Sequence, residues 1–232
     1  MKFQDLLKLY QKRNLQYGSD AYKYISELLE EAKELHKRDW SKFPTPNKDH
    51  EQSWRAFKGK NLEKLILHII KEEVENLGLK VVEGNKLERT RTENLSKGLN
   101  KVKRNLLVDY GELGAYLPDV DIIIYNPINC EITAVISSKV TLRERIAQTG
   151  YWKMKLKQDE LTTHIKVFFI TPDEDKTLSI KTPCKKGRAI VEVDTDGSYV
   201  MSEEDIEESN KVKKFDKFIS DLKELLSEKR KE

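Results

Sequence analysis

The sequence predicts an α/β fold: a strand core with helices added before and after it. Two observations carry that prediction. Short Val/Ile-rich runs bounded by turn residues recur at 120–125, 130–137 and 165–170, while long stretches with helical apolar spacing stand before residue 77 and after residue 212. Their order is helices, strand, two strands, helix, strand, strand, helix, which is the pattern of a sheet with packed helices.

The elements follow in order. Phe3, Leu6, Leu7 and Tyr10 have helical spacing. Gly18-Ser19-Asp20 interrupts it, and Asp20 is a candidate cap for a second helix carrying Tyr22, Ile25, Leu28, Leu29, Ala32 and Leu35. Phe43-Pro44-Thr45-Pro46-Asn47 is a break. It divides an N-terminal helical region, residues 1–46, from a main domain, residues 47–232. A third helix is expected from Glu51 to Leu77, stopped by Gly78. Gly59 lies inside it, where glycine costs about 1 kcal/mol relative to alanine, so close packing is the expected reason.

Leu79–Val82 reads as a short strand. Residues 83–111 are polar and basic, with Lys86, Arg89, Arg91, Lys97, Lys101, Lys103 and Arg104. They fit either a mobile DNA-facing segment or a solvated charged surface. Val120–Tyr125 and Cys130–Ser137 are strands joined by a turn at Asn126–Asn129. Leu142–Leu156 is a helix, Ile165–Ile170 a third strand of this group, Ala189–Val193 a fourth closed by Asp196-Gly197, and Val212–Leu226 a last amphipathic helix before a Lys/Glu-rich end expected to fray.

The 232 residues carry 43 basic and 40 acidic side chains, a net charge of only +3. Bulk charge will not coat nucleic acid, so any binding must use local arrangements. Cys130 and Cys184 form no CxxC pair, which argues against structural zinc and a disulfide framework. With no signal-peptide core at Met1–Tyr10 and no apolar run near the ~18 residues that span a bilayer, an intracellular, reducing compartment is expected.

The chemistry concentrates in two segments. Pro118-Asp119-Val120-Asp121 opens one apolar strand, and Ser137-Ser138-Lys139 closes the next. One or two carboxylates plus a substrate phosphate hold Mg2+, and a nearby lysine can orient or deprotonate a water. In an extended strand Asp119 and Asp121 share a face, as do Ser137 and Lys139, so either aspartate is a candidate ligand. Four residues past Lys139 stands Arg143-Glu144-Arg145. Arginine can donate two hydrogen bonds to guanine O6 and N7, and glutamate can accept from cytosine N4.

Pro-Asp followed by x-x-Lys resembles the PD-(D/E)xK nuclease superfamily, with Ser137 where that pattern has its second acid. The string from Ser137 to Gln148 is similar to the BsaWI-like type II restriction enzymes, a group with Ser-x-Lys and a following Arg-(Asp/Glu)-Arg. The resemblance spans roughly residues 50–230, but only this string is specific. It implies a restriction-endonuclease-like core with a mixed central sheet flanked by helices, plus the added N-terminal and C-terminal helices. It also implies that the missing acid comes from elsewhere. A glutamate thirteen or fourteen residues after the lysine is absent, since Trp152 and Lys153 stand there. The helix pattern Gly-x-x-x-Glu is present at Gly59–Glu63, which nominates Glu63, with Glu73 the weaker alternative.

The resemblance therefore implies Asp119, Lys139 and Glu63 as catalytic groups, with Asp119, Glu63 and Asp121 around Mg2+. Arg143, Glu144 and Arg145 would read bases in double-stranded DNA at a palindrome containing CCGG, with Ser137 and Gln148 as further DNA contacts. Tyr151 and Trp152 are read as core or interface aromatics rather than base-stacking groups. A homodimer, with a higher oligomer also open, matches a two-fold site. A cognate DNA methyltransferase as genetic partner, a prokaryotic cytoplasm and no membrane contact complete the expectation. Two other readings stay open: a repair or junction nuclease without base readout, and a non-catalytic DNA-binding module.

Overall fold

Strands that are apolar on both faces need cover on both sides, and the rest of the chain supplies it. The structure is a computed structural model and describes residues 1–44, 49–141 and 145–228. It begins with α1 (Phe3–Tyr17), a 3-10 stretch over Gly18–Tyr24, α2 (Ile25–Lys42) and the long α3 (His50–Asn76). Asp20 lies within the 3-10 stretch and pairs with Lys23 at 2.9 Å instead of capping α2. The Asp49 side chain caps α3, accepting from the Gln52 N–H at 2.7 Å. Gly78 follows with φ +79°, as a helix stop requires. Thr45 to Asn47 of the expected break lie outside the described residues.

Then come β1 (Lys80–Glu83), α4 (Gly84–Arg89), α5 (Lys97–Arg104) and a small ribbon of β2 (Val108–Asp109) with β3 (Ala115–Tyr116). The main sheet continues through β4 (Ile122–Tyr125), β5 (Ile132–Ser138), α6 (Arg145–Lys157), β6 (Lys166–Thr171), α7 (Lys186–Asp194), β7 (Gly197–Val200), β8 (Val212–Lys214) and α8 (Phe218–Glu228). The sheet order is β1-β4-β5-β6-β7-β8. Its first two pairings are antiparallel and the remaining three parallel, so the sheet is mixed.

The alternation of side chains along β4 fills two cores. Ile122 and Ile124 join Leu62, Leu65 and Ile66 of α3, Leu28 of α2, Leu6 of α1 and Phe218 of α8. Ile123 and Tyr125 face the other way, with Leu87 of α4, Val102 of α5 and Leu156 of α6. The N-terminal and C-terminal helices thus pack on the same sheet as the central elements. Among the described residues no helix is long and apolar enough to cross a membrane.

Three expectations are corrected. Ala189–Val193 is part of the helix α7, and the parallel strand falls at Gly197–Val200, where a turn was expected. A short apolar run does not distinguish strand from buried helix. Here Arg188, fully buried, bonds Glu192 one turn on and the Leu178 and Glu207 carbonyls, which fixes the helix. The last helix begins at Phe218, because Val212–Lys214 first adds an edge strand to β7. Residues 83–111 are folded rather than loose: Leu87, Val102, Leu106 and Val108 are buried against the sheet.

The helix α6 is held to the sheet by a buried ion pair. Lys153, 4% exposed, donates to Asp196 Oδ2 at 2.5 Å and to the Ile165 carbonyl at 2.9 Å, and burial pulls its pKa down. Removing one partner leaves a buried charge alone. Asp196→Ala is expected to cost about 3–5 kcal/mol in urea unfolding, and adding Lys153→Met to it should recover most of the loss. A double variant no more stable than the single one would contradict this role.

Candidate active site

The site is built around Asp121, and backbone bonds place it. The Gly84 N–H, just past β1, donates to the Asp121 carbonyl at 2.8 Å, and the Asp121 N–H donates to the Ile136 carbonyl at 3.0 Å. A Cβ on Gly84 would stand 1.8 Å from the Val120 carbonyl oxygen, so only glycine allows this approach. Pinned from both neighbouring strands, Asp121 turns its carboxylate toward the end of β5. Its Oδ2 accepts from the Ser138 N–H at 2.6 Å and from Lys139 Nζ at 2.8 Å, while Oδ1 takes the same ammonium at 3.1 Å.

Glu63 enters from α3, with Oε1 3.7 Å from Lys139 Nζ. The Glu63 and Lys139 side chains are 19% and 18% exposed, and that of Asp121 6%. Burial first, and then the Asp121 charge beside it, push Glu63 up to about 7, against the opposing pull of Lys139. The structure thus brings three of the sequence-nominated residues together: Glu63, Asp121 and Lys139. Glu73 is exposed on α3, ten residues and about 15 Å further along the axis.

Asp119 makes no contact with Lys139, although its charge is near enough to add to the upward shift of Glu63. The Val120 N–H closes a tight turn onto the Pro118 carbonyl at 2.9 Å, so residues 118–121 are not extended and the two aspartates do not share a face. Asp119 is exposed, and its Oδ2 accepts from Gln148 Nε2 on α6 at 2.8 Å. Ser137 and Lys139 also part, because β5 ends at Ser138. Ser137 is buried and accepts from Thr149 Oγ1 of α6 at 3.1 Å, while Lys139 turns to Asp121. Ser137 therefore fastens α6 to β5.

Leu142, Arg143 and Glu144 lie outside the described residues. Arg145 opens α6, and its side chain is likewise not described. Trp152 packs against the second core, as expected of a core aromatic. Tyr151 is more exposed and bonds the Tyr110 hydroxyl at 3.0 Å, tying α6 to the neighbourhood of the β2–β3 ribbon.

A cleft of about 1040 Å³ opens above the cluster, bounded by α3, α4 and residues 138–141. Gly59 faces it, and a Cβ there would meet nothing within 4 Å, which corrects the packing explanation for this glycine. Pattern reading missed several groups. Gly84 carried no motif. Ser138 was only the unnamed middle of Ser-x-Lys. Lys58 and Glu174, bonded at 3.1 Å across 116 positions, tie α3 to the loop after β6, and the Glu174 N–H holds the Val140 carbonyl at 3.3 Å.

The donor set suits a hard divalent cation. Two carboxylates, Glu63 and Asp121, crowd into a half-dry corner where burial first, and then the Asp121 charge, raise Glu63 to about 7. Beside them the Ser138 hydroxyl oxygen is buried with no hydrogen-bond partner among the described residues. Among the described residues no group of three or more His, Cys, Asp or Glu could hold a metal. Two carboxylate oxygens with room for water and phosphate match Mg2+ rather than an all-protein cage.

A family model described as BsaWI restriction endonuclease type 2 matches residues 98–221, more than half of the chain. A Methanocaldococcus jannaschii protein named "Putative type II restriction enzyme MjaVIP" is 39% identical over 216 residues, 87% of this chain and 93% of its own length. A Helicobacter pylori protein named "Probable type II restriction enzyme HpyAORF263P" is 40% identical over 123 residues, 53% of this chain and 62% of that protein. Among solved structures, the restriction endonuclease PspGI in a substrate DNA complex superposes with a TM-score of 0.53 at 15% identity, over 96% of this chain and 93% of that one. The fold is therefore that of a restriction endonuclease.

The Glu63 shift has a sign that can be measured. Its folded pKa of about 7 lies above its ordinary 4.5, so the folded protein keeps a proton that the unfolded chain releases. Stability from this group is lost as pH rises from about 4.5 to about 7. In metal-free buffer Glu63→Gln should be more stable than the parent at pH 8, by roughly 1–3 kcal/mol. That gap should close at pH 4.5 and below. Thermal unfolding in a chelator across this range checks it, and a gap independent of pH would contradict the raised Glu63 pKa.

Proposed function

The chain belongs to the BsaWI family of type II restriction endonucleases, and from that premise we propose that it cuts both strands of duplex DNA with Mg2+ at a palindromic site containing CCGG. Enzymes of this family are site-specific deoxyribonucleases that use divalent metal ions. The observation that carries the proposal is Lys139 held between Asp121 and Glu63 at the floor of an open cleft. Asp121 and Glu63 would hold the ion, with the Ser138 hydroxyl within the same corner. The ion supplies a more acidic water and neutralises charge on the phosphate.

The side chains have separable roles in this reading. Asp121 orients Lys139, so that its ammonium can point a water at the phosphorus and stabilise charge on the phosphate oxygens. Asp119 and Gln148 form one pair at the mouth, where α6 meets the strand start. Asp119 is thereby a positioning residue, linking the metal strand to the helix that Arg145 opens. Arg143 and Arg145 read guanines and Glu144 reads cytosine, by the hydrogen bonds their chemistry allows. Ser137, through Thr149, sets the distance between α6 and the cutting strand. A homodimer places two such sites on a two-fold sequence, and a methyltransferase of the same specificity would protect the host's own sites.

The test is a digest of a mixed-sequence plasmid with Mg2+, followed by sequencing of the ends. One common palindrome at every end is the expected result. Lys139→Ala should lose at least about 100-fold in rate and keep its binding. Arg143→Ala should lose about 1–3 kcal/mol of discrimination at one G·C pair. Ends without a shared sequence, or no cutting with any divalent ion, would contradict the proposal.

A further inference from the structure

We infer that the α3–α4 wall of the cleft is a phosphate track, on which Arg55, Lys60, Lys86 and Arg89 grip the DNA backbone without reading its sequence. The inference rests on the reading of this protein as a DNA-cutting enzyme and goes beyond it by assigning the holding surface.

The charge on this wall is local and available. The whole chain has a net charge of only +3, yet the cleft gathers cations from two helices against two acids, Glu63 and Glu83. Three of its lysines are engaged already: Lys58 with Glu174, Lys64 over the Phe3 ring, and Lys139 with Asp121. The remaining four, Arg55, Lys60, Lys86 and Arg89, are exposed and have no ion pair among the described residues. Exposed cations without an ion-pair partner that face a cleft are free to attract a polyanion.

Their placement follows the helix. Arg55, Gly59 and Glu63 recur every four residues along α3, so they share a face. Lys60 lies about 4.5 Å along the axis from Glu63 and Arg55 about 12 Å. A strand carries one phosphate per about 3.4 Å of duplex axis, so these cations serve phosphates a few nucleotides from the cut. Between them Ala56 and Gly59 leave the helix surface bare. Glycine weakens the helix at this position and fills no packing need. What it provides is clearance for a bulky chain lying against α3. The groups nominated for base reading, Arg143, Glu144 and Arg145, belong to another segment of the chain than these cations of α3 and α4.

The test compares the parent, the triple variant Lys60→Ala/Lys86→Ala/Arg89→Ala and the control Lys71→Ala, which is exposed on α3 away from the cleft. Binding to a random-sequence duplex and to the duplex cut by the parent is measured with Ca2+ across salt concentrations. Each lost phosphate contact makes the slope of log K against log salt shallower by about 0.9. The triple variant should therefore lose about 2.7 in slope, equally on both duplexes, and the control should match the parent. A triple variant with the parent's slope, or a loss confined to one duplex, would overturn the phosphate track. A parent that cuts no DNA would instead remove the reading on which it rests.

Discussion

The ammonium of Lys139 against the Asp121 carboxylate is the contact on which the rest of the cleft depends. It joins the start of β4 to the end of β5, and it brings Glu63 of α3 into the same corner. Like charges do not gather in a half-buried place without something to hold them. Here Lys139 offsets part of the repulsion, while burial and the Asp121 charge raise Glu63 to about 7. In the proposed reading, a divalent cation bound by both carboxylates would relieve this repulsion. The repulsion is bearable because the backbone around it is rigid. Gly84 fixes Asp121 from one side, Ile136 from the other, and two well-filled cores hold the strands.

The surrounding elements divide the remaining work. The first core clamps α3 to the sheet through Leu62, Leu65 and Ile66, which sets the height of Glu63 over Lys139. Two contacts one turn apart fasten α6: Thr149 to Ser137 by a hydroxyl pair, and Lys153 to Asp196 by a buried ion pair. Rigid placement of α6 against β5 is what the proposed division between base reading and cutting requires, since small displacements of a reacting group are costly. Fastening of this kind uses buried polar groups, which add little net stability. Their function is to choose one position for α6 over its alternatives.

Much of this was legible in the amino-acid pattern, and the failures have physical causes. The strands at 122–125, 132–138 and 166–171 and the long α3 followed from apolar runs and helical spacing. Glu63 and Lys139 followed from Gly-x-x-x-Glu and Ser-x-Lys. Period-two reasoning placed Asp119 with Asp121, because it assumes an extended chain. The turn closed by Val120 onto Pro118 removes that assumption. Ala189–Val193 misled for a related reason. Five apolar and acidic residues carry no period, and the buried Arg188 that makes them a helix finds its partners near residues 178 and 207, far along the chain. Gly84 was invisible because its role is a close backbone approach to residue 120, which no local pattern records.

The central claim is that Asp121, and not its neighbour Asp119, binds the metal with Glu63. Mn2+ binding in the presence of duplex DNA, followed by electron paramagnetic resonance, separates the two. Asp121→Asn should abolish the bound-ion signal, while Asp119→Asn should bind within a few-fold of the parent protein. Loss of the signal in Asp119→Asn with binding intact in Asp121→Asn would contradict the account.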